Sequence, residues 1–237
     1  MTAVHAPTIG LFTTCLAETF RPAVIQAAMD LLEEAGCDVR MPRNQTCCGF
    51  TALQADEPDA AITMASEALA CFDGFDTIVT LSPTCSGALK ASPKATHRKI
   101  LTLTDFLWDE CRWNAAKAQS AGTLAYLSAQ SKPSLFGSDT TGRRLLDKMS
   151  GVHIVDFPDP TDIMEPHSKR AAPSNHLTGL ANRIHKSGAG LVVSEDLGLL
   201  LSLAKPLKNL GSGVELRHIA EVLAGRFSTA PIGAIRS

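Results

Sequence analysis

Two cysteines stand side by side at positions 47 and 48, inside the stretch PRNQTCCGF, and a glycine follows them. Two more frame the pair, so the chain reads C-x31-C-C-G-x35-C from Cys15 through Cys47, Cys48 and Gly49 to Cys85. Thiols gathered in this number do metal or redox chemistry, because ionised sulfur is a soft ligand and a nucleophile. One metal ion is usually served by a C-x2–4-C spacing that lets both sulfurs reach a single point. Neighbouring cysteines instead serve different atoms, which suits a multi-atom cluster better than zinc. Gly49 fits a tight turn brought close to a bulky inorganic centre, where φ must be free and a Cβ would intrude. Zinc on the same four thiolates, and a thiol–disulfide centre or vicinal Cys47–Cys48 bond, are the alternative chemistries.

These residues need a scaffold, and the composition permits a large one. The 237 residues are 45% hydrophobic, enough for one large core or two small ones. The formal charge is −2 with both signs interspersed, and no Lys/Arg cluster forms the basic stripe that nucleic acid needs. The N-terminus, MTAVHAPTIG, lacks the pattern of a signal peptide. The longest apolar run, LGLLLSLA at 197–204, falls far short of the roughly 20 residues of a membrane span. All seven cysteines lie at or before Cys111, and an odd count argues for reduced thiols and a cytoplasmic protein over a disulfide framework.

Short β-branched runs alternate with helical patterns, as in βαβ units around a parallel sheet. The first half predicts strands at 8–14, 38–42, 77–82 and 100–104; the second predicts them at 123–129, 152–157, 190–195 and 214–219. Each interval recurs with an offset near 114, and DGFDTIVTLS is echoed by SGAGLVVSED, so the chain reads as one unit written twice. Residues 21–36 predict a helix with its apolar stripe at 24, 25, 28, 31 and 32, closed by Gly36, with Glu18 and Thr19 as caps beside it. The boundary falls at 115–122, giving units 1–117 and 118–237, and 157–175 predicts a long surface loop.

Cys15 then follows the first strand, Cys47 and Cys48 the second, and Cys85 the third. All four occupy carboxyl ends of parallel strands, the rim where open α/β folds bind ligands. Helices beginning after Cys15 and Cys85 aim their amino ends at the same place, which favours an anionic centre.

With TTC at 13–15, QTCCGF at 45–50 and SPTC at 82–85, the motif resembles the cysteine-rich CCG domain. That domain occurs in the cysteine-rich subunit of heterodisulfide reductase, in glycolate oxidase iron–sulfur subunits and in lactate utilization protein A, and the local context looks most like the last branch. The resemblance implies two tandem Rossmann-like α/β units related by pseudo-twofold duplication. It implies one [4Fe-4S] cluster on Cys15, Cys47, Cys48 and Cys85, with Gly49 and Ser82 beside it, and an electron-transfer subunit working with a ferredoxin-like iron–sulfur partner in an L-lactate oxidation complex. Ser82 stands where members with a terminal C-x-x-C carry a fifth cysteine, which disfavours the heterodisulfide-cleaving branch. Shifted by the offset, the ligands land near Gln130, Asp162 and Leu199, so the second unit holds no cysteine-ligated cluster.

The other candidates are weaker. Cys37, Cys71 and Cys111 read as core hydrophobes, and His167 and His176 bracket a loop without paired-ligand spacing. Arg21 and Pro22 open a helix near Cys15. No G-x-G-x-x-G loop follows the first strand and no G-x-S-x-G elbow exists, against a nucleotide-binding or hydrolase reading.

Overall fold

The computed structural model describes residues 6–115, 119–127, 140–155 and 173–234. The chain divides between Trp113 and Asn114 into two units.

In the first unit four strands, β1 (Thr8–Phe12), β2 (Asp38–Arg40), β3 (Thr77–Thr80) and β4 (Lys99–Thr102), form one sheet in the order β2-β1-β3-β4, every pair parallel. The central strands are buried on both faces, hence their continuous apolar runs IGLF and IVT. Gly10 leaves room for the Phe72 ring, which an added Cβ would meet at 2.6 Å, and Phe72 packs on Phe12 with ring centroids 6.0 Å apart.

Helices α1 (Cys15–Phe20), α2 (Pro22–Glu34), α3 (Phe50–Gln54), α4 (Pro58–Ala70) and α5 (Pro83–Lys90) connect the strands. The predicted stripe of α2 is buried at Val24, Ala28, Leu31 and Leu32, and Gly36 takes the left-handed conformation. After β4 the chain makes a helical turn at Leu103–Asp105 that continues as a π-helical turn over Phe106–Glu110.

Two local expectations change. Strand β1 stops at Phe12 because Thr14, at φ 62, turns the chain and caps α1 by accepting the Ala17 N–H; Glu18 and Thr19 lie inside α1, and α2 instead has Arg21 at its N-cap, with no side-chain cap bond. Strand β2 ends at Arg40 instead of residue 42, just before Pro42, which cannot donate to a ladder.

The second unit repeats the plan. Strands β5 (Gln119–Leu127), β6 (Ser150–Val155), β7 (Leu191–Ser194) and β8 (Glu215–His218) form a parallel sheet in the order β6-β5-β7-β8, the same permutation as the first. Its helices span Thr140–Asp147, Pro173–Lys186, Leu197–Asn209 and Ile219–Leu223. The shared strand order is what duplication of one α/β unit leaves. The predicted loop at 157–175 lies almost wholly outside the described residues. Among the described residues, no helix is long and apolar enough to cross a membrane.

Candidate metal centre

The three cysteine-bearing segments all leave carboxyl ends of neighbouring strands. Cys15 is the first residue of α1 and is exposed. Cys47 and Cys48 close the loop after β2, held in place by Gln45. The Gln45 side chain accepts the Thr13 N–H at 3.0 Å and donates to Leu11 O at 2.9 Å and Pro42 O at 3.1 Å, stapling the loop to the end of β1. Gln45 stands in the quoted QTCCGF, but nothing in its residue type announces that role.

Gly49 adopts φ 85, the free φ that the sequence predicts, and is also the N-cap of α3. Its missing Cβ has a different reason: an added Cβ would lie 2.5 Å from the carbonyl oxygen of Ala61, so the close neighbour is the backbone of α4. Cys85 is the third residue of α5, and Ser82 is that helix's N-cap, its Oγ 2.6 Å from Thr84 Oγ1.

Two of the four thiols are in contact. Cys48 Sγ and Cys85 Sγ are 3.2 Å apart, both buried among Phe12, Ala65 and Leu69. That spacing is too long for a disulfide at about 2.05 Å and shorter than the roughly 3.8 Å between two sulfurs bound tetrahedrally to one zinc; it is a thiol–thiol hydrogen bond. Cys15 lies within electrostatic reach of Cys47 and Cys48. Among the described residues, no three His, Cys, Asp or Glu side chains are drawn together tightly enough to enclose a single ion.

Sharing a proton splits the buried pair. The bond to Cys85 draws Cys48 down to about 7 against the burial that opposes it, with the Phe50 backbone N–H helping. Cys85 is held well above the ordinary thiol range, first by that same bond and then by burial. Cys15 is raised by partial burial and then by the negative charge of Cys47 and Cys48.

A pH dependence follows for the metal-free protein. Cys48 ionises near pH 7 when folded and near its ordinary value of 9 when unfolded, so unfolding takes up a proton between them. Stability from this group is complete above pH 9 and lost as pH falls through 7, a change on the order of 2–3 kcal/mol. Urea titrations from pH 6 to 8.5 should show stability rising for the wild type and a much flatter profile for Cys48→Ala; equal slopes would disprove the assignment.

Of the remaining cysteines, Cys37 and Cys111 stand apart from this rim. Cys37 Sγ and Cys111 Sγ are 3.9 Å apart, Cys37 lying at the amino end of β2. Cys37 is buried as expected, whereas Cys71 and Cys111 are only half-buried; burial and then Cys37 push Cys111 up to about 12. Cys71 donates to Asn44 O at 3.4 Å. His167 and His5 lie outside the described residues, as does the side chain of His176. In the second unit Gln130 and Asp162 likewise fall outside, and Leu199 sits in the helix Leu197–Asn209. Sequence reasoning also missed a buried carboxylate after β7, Glu195, which accepts the Tyr126 hydroxyl at 3.1 Å.

The first unit is a parallel α/β sheet with four cysteines just past the carboxyl ends of its strands. Residues 9–90 match the family model of CCG, the cysteine-rich domain, a span that includes all four thiols. The chain is 28% identical to lactate utilization protein A of Geobacillus kaustophilus (strain HTA426) and 27% identical to that of Geobacillus sp. (strain WCH70), in each case over 92% of this chain and 99% of the relative. The resemblance read from the sequence therefore stands, and it extends through the cysteine-free second half. The solved structure of an aspartate racemase homologue from Pyrococcus horikoshii covers 93% of this chain and 96% of its own at 13% identity, with a TM-score of only 0.33.

Proposed function

We propose that this chain is the iron–sulfur electron-transfer subunit of a system that oxidises L-lactate or a related 2-hydroxy acid. One [4Fe-4S] cluster is held by Cys15, Cys47, Cys48 and Cys85. The observation that supports this reading is that Cys15, Cys47, Cys48 and Cys85 all follow the carboxyl ends of neighbouring strands of the first sheet, with Cys48 and Cys85 in contact. The donor set fits the group: all four are soft sulfur ligands, and the adjacent Cys47 and Cys48 suit a centre of several atoms better than one ion. When bound, such a centre supplies one-electron transfer.

The protein's own residues do the positioning. Gln45 fixes the loop that presents Cys47 and Cys48, while α1 and α5 bring Cys15 and Cys85 in their first turns, where backbone N–H groups favour negative charge. Ser82 borders Cys85 and supplies no fifth thiolate, which argues against disulfide cleavage. Residues 1–117 are the cluster-bearing unit and 118–237 a degenerate copy that serves structure or docking toward a ferredoxin-like partner. Reduced thiols suit work in the cytoplasm.

Protein purified and reconstituted without oxygen should be brown, with a broad visible band that dithionite bleaches, and should carry about four irons and four sulfides per chain. Colourless protein with stoichiometric zinc would overturn the reading. About twice that iron would overturn the single cluster.

A further inference from the structure

Next to Cys85 along the chain stands a buried hydroxyl without a partner. Ser86 is 1% exposed, and its Oγ has no hydrogen-bond partner. Leaving a buried hydroxyl unsatisfied is destabilising, and natural proteins rarely do so without a reason. Hydroxyls on helices usually escape by bonding back to the carbonyl four residues earlier. Thr63, Ser66 and Ser202 do so here, to Asp59 O, Ile62 O and Gly198 O at 2.9, 2.7 and 2.8 Å.

Ser86 does not take that escape. The carbonyl it would use, Ser82 O, accepts the Ser86 N–H at 3.0 Å and lies 3.2 Å from the Thr80 hydroxyl, which also reaches Leu101 O at 3.3 Å. The donor is left over one residue past Cys85, whose sulfur is 3.2 Å from Cys48 Sγ.

The second unit gives the contrast. Its helix Leu197–Asn209 is capped by Asp196 as α5 is by Ser82; counted from those caps, Leu200 stands where Ser86 stands and is fully buried. The unit without thiols puts an apolar side chain at this place, and the unit with them keeps a hydroxyl.

We propose that Ser86 Oγ is the hydrogen-bond donor reserved for the sulfur-rich centre on Cys15, Cys47, Cys48 and Cys85, and that it raises the reduction potential of that centre. A donor to sulfur favours the more negative, reduced state. This rests on the iron–sulfur reading above. Ser86 is a positioning and tuning residue, not a ligand.

The test uses the full chain, metal-free and anaerobically reconstituted, as wild type, Ser86→Ala and Ser86→Thr. Metal-free Ser86→Ala should melt higher, by roughly 2–4 °C for each kcal/mol relieved, because an unsatisfied hydroxyl is removed. Loaded Ser86→Ala should keep its iron but show a more negative potential and an altered electron-spin resonance spectrum of the reduced state. Ser86→Thr, which keeps the donor, should restore both.

A lower melting temperature for metal-free Ser86→Ala would overturn the proposal, since a buried water would then already satisfy the hydroxyl. So would an unmoved potential in the loaded variant. Wild type that takes up no iron would instead defeat the iron–sulfur reading, and this inference with it.

Discussion

Cys15→Ala should lose its iron while keeping its fold. Cys15 is exposed at the start of α1, and the cap that holds this turn is the Thr14 side chain on Ala17 N, which the substitution leaves alone. Folding stability of the metal-free variant should therefore stay within about 0.5 kcal/mol of wild type. Iron retention should fall by at least 10–100-fold in affinity, roughly the range that even outer-shell partners command. Cys85→Ala should lose iron equally but also lose stability, because Cys85 is packed against Cys48 in the core.

Cys37→Ala and Cys111→Ala are the controls. That pair touches at the amino end of β2, away from the rim, so iron content and the visible band should match wild type. Iron quantified after desalting, beside urea unfolding of the metal-free proteins, checks the whole set. Full iron in Cys15→Ala, or loss of iron in Cys37→Ala, would move the site elsewhere.

The second large effect is expected from Gly49→Ala, and here the fold gives way first. An alanine at φ 85 is strained by roughly 1–2 kcal/mol. Its Cβ would also meet Ala61 O at 2.5 Å, and a helical carbonyl cannot swing aside as a side chain can. Overpacking of that kind adds roughly 1–3 kcal/mol, so the total loss is about 2–5 kcal/mol.

Gly36→Ala separates the two contributions. Gly36 has nearly the same φ, 86, with nothing within 4 Å of an added Cβ, so it should lose only the conformational part. Urea unfolding of both variants should show Gly49→Ala clearly the weaker, with reduced iron uptake because Cys47 and Cys48 ride on the displaced turn. Equal losses would mean that α4 yields and the Ala61 contact counts for nothing.

Much of this was legible in the sequence. Strands betray themselves by short apolar runs and helices by a 3.6-residue stripe, so seven of eight strand starts lie within two residues of their expected places, and β5 starts four residues early. Cysteine spacing and strand pattern together were enough to put Cys15, Cys47, Cys48 and Cys85 after the carboxyl ends of neighbouring strands. The repeat was visible as recurring intervals, and the two sheets share one strand order. What failed was local and had a tertiary or capping cause: Thr14 ends β1 by turning to cap α1, and Pro42 cuts β2 short.

The sequence by itself thus determined which elements form, in what order, and which residue types face the rim, because those follow from periodicity along the chain. Tertiary structure alone decided which thiols pair, with Cys48 on Cys85. It made Gln45 the staple of the loop and set Ala61 behind Gly49. It also left Ser86 without an acceptor. Each of these depends on atoms delivered, or not delivered, by a different segment, and periodicity along the chain carries no information about that.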